Sequence, residues 1–206
     1  MNLNEEIIKM KSLMGLITEE TEGIDSFIEK ITTTFPKTKD YIDKIKLFID
    51  NSGCKKIEVV KFKFPAFGLA LHNGVVFNET IFNNSLPNFL FIMCHEIAHQ
   101  YQYQKYGNEK MYEFYLGEID VKEAAIAMKQ IEMTADEFAE RKVREFVKLG
   151  LLNPNEVSMF NGFYKRAPLM YFEKLITQIK EKIKESGVTD FDGISTIFYN
   201  MIKANI

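Results

Sequence analysis

Phe89-Leu90-Phe91-Ile92-Met93-Cys94-His95-Glu96-Ile97-Ala98-His99 sets six consecutive apolar residues against a cluster of three ionisable ones. Ser85 stands ahead of this run as an N-cap. Pro87 falls in the first helical turn, where its missing N–H costs little, and Gly107 follows Tyr106 as a stop. The spacing predicts one helix over 86–106, apolar on nearly all sides and therefore buried. A buried helix that carries two imidazoles and a carboxylate needs a reason for them, because such groups are costly to take out of water unpartnered.

Outward from that helix, the chain reads as helix downstream and as a small sheet upstream. Asp120 followed by Glu123 is a variant of the capping box and starts a long helix that reaches Leu149, with Gly150 as its stop. Its length leaves room for a kink. Asn153-Pro154 opens a further turn or helix. Residues Leu169 to about Glu185, and Phe191 to about Ile202, read as closing amphipathic helices. Upstream, Ile57-Glu58-Val59-Val60-Lys61-Phe62-Lys63-Phe64 alternates and is rich in β-branched and aromatic residues, so it reads as a strand. Runs 67–72 and 75–77 flank Asn73-Gly74, a strong hairpin signal. Leu3, Ile7, Met10, Met14 and Ile17 mark helix over residues 2–33, with Gly15 and Gly23 as interruptions. Pro36 breaks it, Thr38 to about Asn51 is a second helix, and Ser52-Gly53 ends that one. The expected fold class is α+β: a mainly helical single domain with a small mixed or antiparallel sheet packed on the 86–106 helix. It divides into an N-terminal helical segment (1–52), a core (53–150) and a C-terminal helical subdomain (151–206).

Composition narrows the function classes. The chain has 206 residues, 46% hydrophobic and 27% charged. A chain of that length buries about two-thirds of its unfolded surface and needs no disulfide or metal to fold. Its two cysteines cannot form a disulfide framework, which suits a reducing, intracellular setting. Net charge is −3, and Arg141, Arg144 and Arg166 are the only arginines, so direct nucleic-acid binding is not expected. The N-terminus lacks the basic head and apolar stretch of a secretory signal, and no apolar run reaches the roughly 18 residues that a membrane span needs. The expected location is cytoplasmic, without membrane attachment.

His95-Glu96-Ile97-Ala98-His99 is an H-E-x-x-H motif. Residues four apart on a helix differ by about 40° in direction and about 6 Å in height, so His95 and His99 can converge on one ion. Neutral imidazole nitrogen suits Zn²⁺. Glu96 lies about 100° round the helix, where it can act on a metal-bound water as general base without filling a ligand position. A catalytic zinc takes three protein ligands. The longer H-E-x-x-H-x-x-G-x-x-H form is excluded because Gln102 and Lys105 stand at its Gly and His positions. The third ligand is then a carboxylate or His72. Glu132 is the best carboxylate, with Asp136 on the same helix face to accept a ligand histidine's free ring N–H. Asp120 is a rival carboxylate, but capping accounts for it. His72 reads as an exposed hairpin residue, Cys54 and Cys94 as core thiols, and Tyr101, Tyr103 and Tyr106 as packing and helix surface. Lys180, Lys182 and Lys184, interleaved with Glu181 and Glu185, read as a solvated charge run.

With H-E-x-x-H followed by E-x-x-x-D, the chain resembles the gluzincin branch of the zincin metallopeptidases. Glu132-x-x-Ala135-Asp136-x-Phe138-Ala139 also resembles the second motif of the ImmA/IrrE-like peptidases. The resemblance covers roughly residues 57–146. It implies a minimal zincin-like catalytic core in which His95, His99 and Glu132 hold zinc and Glu96 is general base and acid. Asp136 would orient a ligand histidine, His95 before His99. Gly68, Leu69, Ala70 and Leu71 would form an edge strand that pairs with a protein or peptide substrate. Gluzincins commonly place a His or Tyr beyond the third ligand to steady the oxyanion. Here Tyr164, Tyr171 and Arg166 are the candidates, with nothing to select one. Two other readings stand beside peptidase activity. One is a zincin fold serving as a binding or structural module with a non-catalytic metal. The other is a DNA-repair or regulatory peptidase with a nucleic-acid partner, against which the low Arg content and negative charge weigh. The module reading extends to a phage-type protein with an N-terminal leader, since Ile17-Thr18-Glu19 resembles the sites cut during maturation of tailed-phage heads. Oligomeric state is not legible.

Overall fold

Helix α1 (Ile24–Thr34) turns Phe27, Ile28 and Ile31 inward at three- and four-residue steps, and Gly23 is its N-cap. This computed structural model describes residues 23–61, 67–71, 74–107, 119–157 and 166–188, and Gly193. The stripe from Leu3 to Ile17, the Ile17-Thr18-Glu19 site, Phe62–Phe64, His72, Asn73 and Tyr164 lie outside them, as does the 191–202 helix apart from Gly193. The helix expected from Thr38 to Asn51 begins instead as a 3₁₀ segment, Pro36–Tyr41, and becomes α-helical (α2) over Ile42–Asn51. Pro36 presets the backbone and gives no N–H. Thr38 then returns both its amide (2.9 Å) and its hydroxyl (2.7 Å) to Phe35 O, which tightens the turn.

Three strands form one mixed sheet: β1 (Lys56–Val60), β2 (Gly68–Leu71) and β3 (Gly74–Asn78). The order is β1-β3-β2. β3 pairs parallel with β1 (Ile57 beside Val75, Val59 beside Phe77) and antiparallel with β2 (Gly68 beside Phe77, Ala70 beside Val75). As the central strand, β3 is buried along its whole length, Gly74 to Asn78. Phe77 stacks on Phe27 of α1 with ring centroids 5.1 Å apart and planes 4° from parallel, which fixes the N-terminal helix to the sheet. Asn78 ends β3 and caps the following 3₁₀ segment, Glu79–Asn83, by accepting the Thr80 amide at 3.2 Å.

The motif helix, α3, runs Leu86–Tyr106. Ser85 occupies the N-cap position, but its side chain makes no capping hydrogen bond. A cap serves the second or third helical N–H, and Pro87 removes one of these targets. At the other end Gly107 takes a φ of 76°, which favours glycine, and returns its N–H to Tyr103 O at 2.9 Å. Phe89, Leu90, Met93, Cys94 and Ile97 are fully buried, so α3 is the axis of the main core. Helix α4 (Val121–Lys148) is a single uninterrupted helix whose N-cap Asp120 accepts the Lys122 amide at 2.8 Å. At about 1.5 Å per residue it spans roughly 42 Å, enough to serve two cores. Its second half joins the main core through Ala139, Val143 and Phe146. Its first half packs Ala124 and Ala125 against Phe172 and Ile176 of α6 (Leu169–Ser186). A short α5 (Pro154–Val157) lies between α4 and α6.

Lys180 departs from the expected solvated run. Its Nζ donates to Ile119 O at 2.7 Å, tying α6 to the start of α4. Lys182, by contrast, pairs with Glu185 in solvent. Cys54 and Cys94 are free and buried, and burial lifts both thiols well above their ordinary range, Cys54 to about 11. Among the described residues no helix is long and apolar enough to cross a membrane.

Candidate metal centre

The midpoint of α4, between its two cores, crosses α3 where His95 and His99 emerge. Ala135 and Ala139 are fully buried there, and their small side chains let the two helices approach closely. The crossing brings His95, His99 and Glu132 into one cluster that could hold a metal ion. His95 Nε2 lies 3.1 Å from Glu132 Oε2, His99 Nε2 lies 3.6 Å from the same oxygen, and the two Nε2 atoms are 3.3 Å apart. Asp136 Oδ1 stands 2.9 Å from His95 Nδ1. A carboxylate accepts only, so that ring nitrogen donates and Nε2 is the atom turned to the cluster.

The spacing fits a small dication. Four ligands at roughly 2.0–2.1 Å around a tetrahedral ion are about 3.3 Å from one another. The three separations found here scatter around that edge length. A hydrogen bond accounts for the contact between His95 and Glu132. The two ring nitrogens facing each other at 3.3 Å need either a proton shared as an N–H···N hydrogen bond or a cation between them.

The electrostatics agree. Burial alone would depress both imidazoles. The carboxylates of Asp136 and Glu132 reverse that and lift His95 to about 10, and Glu132 also raises His99 above its ordinary range. Burial opposes the charge on Glu132, yet the two histidines hold its carboxyl well below the usual range. The carboxylates around the two rings therefore favour positive charge in this pocket, and a metal ion would compete with protons for it.

Glu96, on the adjoining face of α3, lies against β2. Burial raises its carboxyl above the ordinary range, opposed by His95 and His99 and by the Ala70 amide hydrogen-bonded to it. Gly68 is required for this approach, because a Cβ at that position would lie 2.6 Å from Glu96 Cγ and 2.9 Å from Cδ. The β2 edge is set by register. Asn78 donates to Phe67 O at 2.9 Å, so the pairs 67/78, 69/76 and 71/74 carry the ladder bonds. Gly68 and Ala70 thus turn their backbone groups away from β3, whereas Leu69 and Leu71 turn theirs toward it. Ala70 O accepts the Tyr103 hydroxyl at 3.4 Å.

Three side chains of this site carry contacts that sequence reasoning missed. Gln102 Oε1 lies 2.7 Å from His99 Nδ1. Gln100, only 2% exposed, donates from Nε2 to Leu71 O at 2.8 Å and to Gly74 O at 2.9 Å. Tyr103, read as packing, reaches the edge strand. The available signal was spacing: Glu96, Gln100 and Tyr103 form an i, i+4, i+7 row on a buried helix, and buried polar side chains have partners. Asp120 is engaged as an N-cap, as capping predicted. Arg166 is exposed, and Tyr171 is 43% exposed with its ring edge-on to Phe172 near the start of α6. No family model matches this chain, and neither the curated proteins nor the solved structures give a significant match, so its functional reading rests on these residues and their geometry.

Proposed function

We propose that the chain is a zinc-dependent metallopeptidase that hydrolyses peptide bonds in an intracellular protein or peptide. The observation that carries this reading is the mutual spacing of His95 Nε2, His99 Nε2 and Glu132 Oε2, with Glu96 on the adjoining helix face. His95, His99 and Glu132 would hold the ion. When bound, zinc would supply Lewis-acid polarisation and lower the pKa of water to about 7. Asp136 keeps the proton on His95 Nδ1. Glu96 takes a proton from the attacking water onto its carboxylate and passes it to the departing amine nitrogen. Burial favours that transfer, since it raises the affinity of Glu96 for a proton. The outward backbone groups of Gly68 are placed to pair with an extended substrate strand, whereas those of Ala70 are held by Glu96 and Tyr103.

Metal analysis of gently purified protein and a Glu96→Gln variant test this together. We expect about one zinc per chain in both, an unchanged fold in the variant, and loss of peptide hydrolysis. A chain purified without metal, and unable to take up zinc, would sink the proposal. Equal peptide hydrolysis, or none, by wild type and variant, with zinc present in both, would instead make the centre a structural module.

A further inference from the structure

We infer that Gln102 is a positioning residue for the metal centre: it sets which nitrogen of His99 carries the proton, and so aims the other at the ion. The inference rests on reading His95, His99 and Glu132 as that centre.

Gln102 Nε2 lies 3.0 Å from Ile131 O and 3.4 Å from Thr134 Oγ1. A carbonyl oxygen only accepts, so the face of the amide turned toward Ile131 must be its NH₂. Thr134 directs its one hydroxyl hydrogen back to the helix carbonyls, Gln130 O at 2.6 Å with Ile131 O at 2.9 Å as the alternative, so its oxygen meets Gln102 as an acceptor. Both contacts choose the same amide orientation, and the flipped one would set oxygen against oxygen. Gln102 Oε1 is thereby turned to His99 Nδ1, at 2.7 Å. An amide oxygen accepts, so Nδ1 must donate, and the ring's lone pair is left on Nε2. That is the nitrogen 3.3 Å from His95 Nε2 and 3.6 Å from Glu132 Oε2. A neutral imidazole free in water prefers its proton on Nε2, which would block this arrangement. Gln102 reverses that preference.

The two ligand histidines are therefore oriented by different chemistry. An anion, Asp136, holds His95, and a neutral amide anchored to a helix carbonyl holds His99. Ile131 O and Thr134 flank Glu132 in sequence, so one turn of α4 supplies both a ligand and the anchor that orients another ligand on α3.

Outer-sphere partners of this kind typically change metal affinity 10–100-fold. The test measures zinc affinity by chelator competition on the full chain, for wild type, Gln102→Ala and Gln102→Glu. It adds long-range ¹H–¹⁵N spectra of the histidine rings in the zinc-loaded protein. We expect Gln102→Ala to bind zinc 10–100-fold more weakly while its metal-free melting temperature stays within a few degrees of wild type. Gln102→Glu, which keeps an acceptor for His99 but sets a second oxygen against Ile131 O, should recover only part of the affinity. The wild-type spectrum should show His99 protonated on Nδ1 and metal-bound through Nε2. Equal zinc affinity in wild type and Gln102→Ala overturns the inference while leaving the metal centre standing. So does a wild-type spectrum with His99 bound through Nδ1, which decides the question even if Gln102→Ala does not fold. Wild-type protein that takes up no zinc overturns the centre itself, and this inference with it.

Discussion

Two faces of α3 hold polar groups, and they are secured in opposite ways. On the face toward α4, His95, His99 and Gln102 meet mainly side chains: Glu132, Asp136 and Thr134. On the face toward the hairpin, Glu96, Gln100 and Tyr103 meet backbone: the Ala70 amide, Leu71 O with Gly74 O, and Ala70 O. The first face depends on residue identity, because a different side chain from α4 means a different ligand set. The second depends on where β2 and β3 lie, because backbone groups are the same for any sequence. A metal centre and the strand above it can thus be perturbed separately, and that separation can be measured.

The largest expected effect is Glu96→Gln. Removing a positioned general base costs about 10²–10⁴-fold in hydrolysis and leaves the α4-facing ligands, and hence zinc content, unchanged. Gly68→Ala comes next. Its new Cβ would meet Glu96 2.6 Å from Cγ, forcing carboxylate or strand to move. Misplacement by about 1 Å can cost up to about 100-fold, so kcat should drop toward that level at unchanged zinc affinity. A Gly68→Ala protein with altered zinc affinity would show that the two faces are coupled after all. Gln100→Leu removes the donors to Leu71 O and Gly74 O from a site only 2% exposed. Each carbonyl keeps its ladder partner across the 71/74 pair but loses a second hydrogen bond, which should lower the urea-unfolding free energy of metal-free protein by about 1–3 kcal/mol. Zinc binding by the folded variant should not change.

The smallest effect is alkaline. Cys54, beside β1, donates to Lys56 O at 3.3 Å and is raised by burial from its ordinary 9.0 to about 11. A group whose pKa is higher in the folded state contributes stability that is fully present below the unfolded value and lost as pH rises through the folded one. The window is therefore pH 9 to about 11. By pH 10 the Cys54 share of the loss should be about 1 kcal/mol, read as a fall in urea midpoint that is smaller in Cys54→Ala, where buried Cys94 still contributes its own. Because Cys54 abuts the sheet, hydrogen-exchange protection should fall in β1 and β3 before it falls in the metal-facing part of α4.

Legibility followed the range of the signal. The ends of α3 were readable to the residue and those of α4 to within one residue, because Pro87, Gly107, Asp120 and Gly150 are local punctuation whose effect needs no distant partner. The 3₁₀ start at Pro36–Tyr41 was not, because it turns on Thr38 spending its hydroxyl on Phe35 O instead of on a helical neighbour. The antiparallel β2–β3 pair was visible from Asn73-Gly74, but the parallel pairing of β1 with β3 was not, since a parallel partner leaves no turn signature. Among the site residues, His95, His99, Glu96, Glu132 and Asp136 were found by spacing within helices. Gln102 was noticed only as the residue that excludes a longer motif.

The sequence by itself determined which atoms are available for chemistry: two histidines one helical turn apart, a carboxylate between them, and an acidic pair one turn apart on a second helix. Helical periodicity is a local property, and it orders each set without reference to the other. Only the tertiary structure decided how the two sets meet. The crossing of α3 and α4 at Ala135 and Ala139 sets the separations of 3.1, 3.3 and 3.6 Å. It also brings the Ile131 carbonyl to Gln102 and the β2 backbone over Glu96. Those distances depend on how closely two packed surfaces approach, a quantity that no single segment encodes.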